Sequence, residues 1–363
     1  MLPAAAYTSA EVLAWELRHL YAGSWTCLGR VDELLPMGVA QRGLTVGDVP
    51  VLLTCQRDRV RLFANTCRHR GHELLPAGRS TDRVVVVCPY HAWSYDLSGR
   101  LLAAPGFRCV EGFDADEHGL VELPVTIWRG WLFGHALHPL GSAEVAPFEE
   151  HLGALDGLLA AYRLEDLRLG ERHTYEVAAN WKVVAENYHE CYHCPQIHPE
   201  LCAVTPPTSG DNYDLPGAWV GGRMNLRDGM STMSLSGESG GTPIPGAPST
   251  TVEYLHLLPN LLVSAHPDYV MTHRLLPLAP GRTWIECSWW FLPDPAGALP
   301  DPGYAVEFWD LTNRQDWAAC ESVQRGLASP HFRPGPFAPG EDAVARFTGM
   351  VARAYDEQGC RLN

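Results

Sequence analysis

Two stretches set the reading of this chain: Cys67-Arg68-His69-Arg70-Gly71-His72 and, after eighteen residues between His69 and Cys88, Cys88-Pro89-Tyr90-His91-Ala92-Trp93-Ser94-Tyr95. Each half supplies one thiolate and one imidazole. That mixed set suits a 2Fe–2S cluster with two cysteines on one iron and two histidines on the other, an arrangement that raises the reduction potential above that of an all-cysteine cluster. A structural zinc site is the alternative for two Cys and two His, but zinc motifs pair Cys with Cys and His with His. Gly71 and Pro89 permit tight turns that bring backbone N–H groups towards cluster sulfurs. His72 breaks the ligand spacing and reads as a polar loop residue.

Working outward, 25–140 is a series of short strands separated by Gly, Asp and Pro turns. Candidate strands are 31–35, 44–46, 51–55, 60–64, 83–88, 101–102, 120–125 and 128–133. Ahead of them 8–22 is expected to be a helix, with Thr8-Ser9-Ala10-Glu11 as a capping box. Beyond Pro147 the spacing predicts a helix over 152–164. Alternating strands follow at 172–177, 252–258, 261–266, 269–277 and 283–292, and a long helix at 304–327. Residues 206–250 are rich in Gly, Pro, Ser and Thr and read as a loop or lid over a site.

A second dense segment is Asn187-Tyr188-His189-Glu190-Cys191-Tyr192-His193-Cys194-Pro195-Gln196-Ile197-His198-Pro199. On a straight helix His193 and His198 would point about 140° apart. Pro195 is expected to interrupt the helix so that both reach one metal. Two His and one carboxylate, with open positions, suit a non-haem Fe(II) oxygenase. Asp316 supplies the carboxylate: on the helix at 304–327 it shares a stripe with Trp309, Asn313, Cys320, Val323 and Leu327, whereas Asp310 with Arg314 and Glu321 with Arg325 read as exposed pairs. Cys191-x-x-Cys194 could be a redox-active or zinc-binding pair, but no matching Cys pair exists and both read as packing residues; His189 reads as a surface or supporting histidine. Asn187 stands either beside the iron or in a plain helix hydrogen bond.

Composition narrows the classes. The chain has 363 residues, 46% of them apolar, which suits two domains with ordinary cores. A net charge of −15 argues against nucleic acid. There is no charged leader and no run of eighteen apolar residues, so the expectation is no membrane segment and a cytoplasmic, reducing location for the eleven cysteines. No two glycines are spaced G-x-G, so NAD(P)H would be handled by a separate protein.

These motifs together resemble the catalytic (alpha) subunits of the Rieske non-haem iron oxygenases over nearly the whole length. The resemblance implies an α+β protein: an N-terminal all-β Rieske domain (25–146) and a C-terminal helix-grip catalytic domain with a central antiparallel sheet (147–363, lid 206–250), with an N-terminal helix (1–24) packing on the catalytic domain. It implies Cys67, His69, Cys88 and His91 as cluster ligands, His193, His198 and Asp316 as iron ligands, and a homotrimer in which Glu190 bridges a Rieske His of one subunit to an iron-ligand His of the next. Glu rather than Asp there is similar to the branch oxidising glycine betaine, carnitine and proline betaine.

A terminal oxygenase of that branch would use O₂, with NAD(P)H electrons from a flavin- or ferredoxin-type reductase, to hydroxylate an N-methyl group and release formaldehyde. Tyr188, Tyr192, Trp219, Trp289 and Trp290 are candidates for aromatic contact with the small-molecule cation, and Arg223 for a betaine carboxylate. The alternatives are a hydroxylase, dioxygenase or O-demethylase of an aromatic or natural-product ring, and a Rieske electron carrier with a non-catalytic binding domain.

Overall fold

The computed structural model describes residues 1–362 and divides into two compact units: Ala14–Phe148, and Met1–Leu13 together with the chain from Glu149 onward. In the first unit a five-stranded antiparallel sheet runs in the order Ser80–Thr81, Gln41–Val46, Val49–Gln56, Arg59–Ala64, Glu122–Leu123. Two three-stranded sheets accompany it. Its hairpins use the turn that matches strand twist: Arg57 and Asp58 (φ 50° and 65°) join two strands, and Arg129 and Gly130 (φ 46° and 87°) join another pair.

Successive residues of Val49–Gln56 face opposite sides, as strand geometry requires. Leu52 enters a core with Phe63, Val86, Trp93, Tyr95 and both Cys67 and Cys88, while Val51 and Leu53 join Leu28, Leu62 and Leu132. The cysteine pair is therefore set into one of the two cores of this unit. Residues 31–35, expected as a strand, contain the short helix Val31–Leu34, with Asp32 and Glu33 in its first turn where the helix dipole favours them.

The second unit is built on a seven-stranded antiparallel sheet, ordered Arg168–Val177, Arg282–Phe291, Tyr269–Ala279, Leu261–Ala265, Thr251–Leu257, Trp219–Asn225, Asp211–Asn212. The long helix Gly303–Leu327 packs into it. Ala305, Phe308 and Trp309 join Tyr269, Met271, Trp289 and Phe291 in one core. Trp309, Asn313, Cys320 and Leu327 are buried along the expected stripe, but Val323 is exposed. A helix not foreseen, Asp342–Glu357, buries Val344, Phe347, Val351 and Tyr355 and packs on helix Trp181–Tyr188 and strand Trp219–Asn225.

Other expectations need correcting. The N-terminal helix is Ala5–Thr8 and Ala10–Glu16, continued by a π-turn Leu17–Ala22. Ser9 breaks it in an extended conformation, and Ser9 Oγ, not Thr8, accepts from Val12 N. Only Met1–Leu13, not all of 1–24, belongs with the C-terminal unit. The helix expected over 152–164 is split into Phe148–Leu152, Leu155–Leu159 and a 3-10 turn Ala160–Tyr162, with Gly153 at φ 51° between the first two.

The region 206–250 is not one loop, since it contributes strand Trp219–Asn225 to the sheet. Its irregular remainder is pinned from beneath by buried Asp268, whose carboxylate accepts from Thr232 Oγ1 (2.5 Å), Ser239 Oγ (2.6 Å) and Tyr304 Oη (2.6 Å). An Asp268→Ala variant removes the carboxylate that three hydroxyls share, leaving Ser239 only the longer bond to Gly241 O (3.3 Å). It should lose about 3 kcal/mol or more of stability in chemical denaturation and gain protease cleavage within 226–250. Unchanged cleavage would show that the segment is held by other contacts.

Candidate metal centres and the adjoining cavity

In the N-terminal unit the two Cys/His loops are built alike. Cys67 N donates to His72 O (2.9 Å) and Gly71 N to Cys67 O (2.9 Å); Cys88 N donates to Trp93 O (2.8 Å) and Ala92 N to Cys88 O (3.1 Å). The fifth residue of each loop, Gly71 or Ala92, takes a left-handed conformation (φ 72° and 57°) that closes the turn. Both thiols are buried, whereas His91 is exposed and His69 half-buried, their rings 4.8 Å apart.

Tyr95 accepts from Arg68 N (3.0 Å) and so directs its hydroxyl at Cys67 Sγ (3.4 Å). Amides of Tyr90 and His91 face the Cys88 thiol, and Trp93 stacks on His69 at 5.0 Å. Two buried thiols backed by N–H and O–H donors, with two imidazoles at the rim, fit the ligand set of a 2Fe–2S cluster. The exposed His72 bonds the carbonyl of Glu73 through Nδ1 (2.6 Å).

In the C-terminal unit the ligand atoms of His193, His198 and Asp316 lie within 4.8 Å of one another. Convergence comes about differently from the expectation. Helix Trp181–Tyr188 ends before the motif, and Pro195 opens the single turn Cys194–Ile197 rather than breaking a helix. His193 and His198 stand at its two ends. Pro199 starts the next helix, and His198, the residue before it, leaves the helical region (φ −123°, ψ 68°).

The outer nitrogens are committed. His193 Nδ1 donates to Glu190 Oε1 (2.5 Å) and His198 Nδ1 to Gln315 Oε1 (2.7 Å), so both Nε2 atoms turn inward, His198 Nε2 to 2.8 Å and His193 Nε2 to 3.3 Å from Asp316 Oδ1. Glu190 also accepts from the amides of Tyr192 and His193. Asn187 Nδ2 is 3.5 Å from His193 Nε2, beside the centre rather than in a helix hydrogen bond.

The electrostatics fit a cation. Burial would lower the pKa of His193, but Asp316 and Glu190 outweigh it and raise it to about 9. Burial likewise opposes charge on Asp316, yet the two imidazoles hold its pKa below the usual carboxylate value. A divalent ion supplies the positive charge that these groups otherwise draw from protons.

Beside this centre is a cavity of about 720 Å³. Four carboxylates line it (Glu190, Asp211, Asp316, Asp342) against one guanidinium, Arg223. Tyr188, Tyr192, Tyr254, Trp309 and Trp317 add aromatic surface. Three of the expected substrate contacts lie elsewhere, because strand register turns them into the core. Trp219 is fully buried with Nε1 donating to Pro216 O, Trp289 packs edge-on against His173, and Trp290 donates to Thr272 Oγ1.

His189, expected at the surface or in a supporting role, is not at the surface: it is buried and bonded to His256 (3.2 Å). Asp310 keeps its pair with Arg314 but also accepts from Tyr175, and Glu321 accepts from Ala178 N. Cys191 and Cys194, expected as packing residues, form a disulfide, though Cys194 does pack in the core. Gln315, Tyr254, Trp317, Asp211 and Asp342 were not singled out from sequence; for Gln315 the available signal is its place beside Asp316.

Comparison with known proteins gives a consistent result. A model of the catalytic domain of the ring hydroxylating alpha subunit matches residues 164–357, and one of the Rieske [2Fe-2S] domain matches residues 24–114. The glycine betaine monooxygenase oxygenase subunit of Chromohalobacter salexigens is 30% identical over 373 residues, 93% of this chain and 81% of its own. The carnitine monooxygenase oxygenase subunit of Acinetobacter baumannii is 36% identical over 199 residues, 54% of this chain and 52% of its own. A solved quaternary ammonium Rieske monooxygenase superposes with a TM-score of 0.77 at 25% identity, over 97% of this chain and 94% of that one. Naphthalene 1,2-dioxygenase from Rhodococcus shares the fold (TM-score 0.72, 16% identity, 97% of this chain and 94% of that one).

A raised His193 pKa means that the metal-free imidazole carries a proton at pH 7.5 which a metal must displace. Anaerobic Fe(II) loading in weak buffer should release about one to two protons per iron, with affinity climbing as pH rises towards 9. pH-stat titration checks this, and loading without proton release would contradict the charge balance described.

Proposed function

Because the chain belongs to the ring-hydroxylating alpha subunits, Rieske oxygenases and hence oxidoreductases, we propose that it is the terminal oxygenase for a small quaternary ammonium substrate of the betaine type. It hydroxylates an N-methyl group and releases formaldehyde. The observation that carries this reading is the cavity: beyond the two carboxylates engaged with His193 and His198, its lining sets Asp211, Asp342 and five aromatic side chains against a single guanidinium, Arg223, which favours a cation. A trimethylammonium group cannot donate hydrogen bonds, so it is attracted to aromatic faces and carboxylate charge instead.

Tyr188 is pre-set for this role. Its hydroxyl is occupied by Val263 O and Ser264 Oγ (both 3.0 Å), which leaves the ring to face the cavity. Arg223 is the single cationic group placed to take a carboxylate at the far end of such a substrate.

Held by Cys67, His69, Cys88 and His91 and by His193, His198 and Asp316, the cluster and the mononuclear iron would supply electron transfer and O₂ activation, chemistry that no side chain offers. Glu190 fixes the tautomer of His193, and Gln315 that of His198. In a homotrimer Glu190 would also receive an imidazole from a neighbouring subunit, and its partial accessibility supports this reading. Its side chain is 12% accessible, beside Tyr192, which is 71% exposed.

Electrons come from NAD(P)H through a separate flavin- or ferredoxin-type reductase. Among the described residues no helix is long and apolar enough to cross a membrane. Nine free cysteines suit a reducing, cytoplasmic setting.

The deciding assay combines the protein with a surrogate reductase, NADH and a panel of betaines, and measures formaldehyde. Turnover of an aromatic ring compound without formaldehyde from any betaine would overturn the substrate class. Asp316→Ala should abolish product while leaving the reduced Rieske signal in electron paramagnetic resonance intact; undiminished turnover would remove Asp316 from the iron site. Glu190→Gln should keep both metals and lower kcat by about 10- to 100-fold, the usual range for groups that orient metal ligands. Full turnover would refute the bridge.

A further inference from the structure

Cys191 and Cys194 form the one disulfide among the described residues, and its loop encloses ligand His193. Between helices Trp181–Tyr188 and Cys194–Ile197 the backbone has no helical or sheet ladder. Cys194 N donates to Cys191 O (3.2 Å), and the side-chain restraints on the loop centre on the Glu190 carboxylate, which accepts from Tyr192 N, His193 N and His193 Nδ1. Any further donor to Glu190 must share those two oxygens, and the grip on His193 then weakens.

The disulfide is a restraint of another kind, covalent and independent of Glu190. Cys194 is 3% exposed and packs in the sheet–helix core with Leu201, Met271 and Trp309, whereas Cys191 is half-buried; both line the cavity. The bond therefore ties the ligand loop to the core.

We propose that Cys191–Cys194 is a thiol–disulfide site: closed, it holds His193 on the metal, and opened by a low-molecular-weight thiol it lets the metal go. It rests on the assignment of His193, His198 and Asp316 as the iron site. A thiolate entering by the cavity meets Cys191 Sγ first. The S–S bond breaks, and Cys194 leaves as a thiolate that takes a proton from solvent. A second thiol displaces the first, yielding two protein thiols and one external disulfide. Hydrogen peroxide reverses the change, the two thiols giving up two electrons and two protons as the peroxide becomes two waters. Disulfides in reducing compartments are characteristically transient and redox-sensing.

The test uses protein with cluster and iron in place, handled anaerobically. One portion stays untreated; the other is opened with dithiothreitol and then freed of it. Alkylation and mass spectrometry report the state of Cys191 and Cys194. Challenge with a ferrous chelator, followed by nitric oxide, reports retained mononuclear iron through the ferrous nitrosyl resonance, which is separate from the cluster signal. The opened form should lose iron about tenfold more readily, the lower end of the range for groups that orient metal ligands, and Cys191→Ser/Cys194→Ser should match it with or without dithiothreitol.

Equal retention in the two forms overturns the proposal, as does finding both cysteines alkylated in protein purified without reductant. Absence of mononuclear iron from both forms sinks the iron assignment itself and the proposal with it. The dithiothreitol arm needs no substitution, so a double variant that fails to fold leaves the test intact.

Discussion

A carboxylate facing two imidazoles organises the C-terminal unit. Asp316 is carried by a 25-residue helix into a site where its oxygen lies 2.8 Å from His198 and 3.3 Å from His193. Uncompensated charge in such a place is costly. Once Glu190 and Gln315 have taken the outer nitrogens, the inner face can be balanced only by protons or a metal cation. The sheet that grips the helix, the turn between the two histidines and the loop before it all serve to keep these three groups facing each other.

The two centres are stabilised by contrasting means. In the N-terminal unit the backbone does most of the work, through two like loops closed by left-handed residues and amides aimed at sulfur. The cysteines that would hold the cluster sit inside and the histidines nearer the surface. In the C-terminal unit side-chain carboxylates and an amide orient the ligands, which makes that centre responsive to protonation and to whatever else Glu190 contacts. The cavity adds Asp211, Asp342 and five aromatic side chains beside that centre.

Much of the chemistry was legible because metal ligation is written in local spacing. Cys67, His69, Cys88 and His91 occur in two short loops, His193 and His198 flank one turn, and the stripe through Trp309, Asn313 and Cys320 turns Asp316 inward. The strand Trp219–Asn225 was hidden because Gly221 and Gly222 remove the apolar alternation that marks a strand. Helix Asp342–Glu357 does carry its signal in Val344, Phe347, Val351 and Tyr355, and was simply not drawn from it.

Residue types and short-range spacing, then, were sufficient to pick out the side chains that the fold brings together (His193, His198 and Asp316), the two-part architecture and the class of chemistry, since those depend on donor atoms on a few short segments. Folding decided which aromatics reach the cavity: Trp289 and Trp290 are adjacent on one strand, yet each is absorbed by a different set of core partners, and sheet register is a long-range property. It also decided that Cys191 and Cys194 are bonded and that Gln315 holds His198, because closing a bond or aiming an amide depends on where two separately positioned backbones place their side chains.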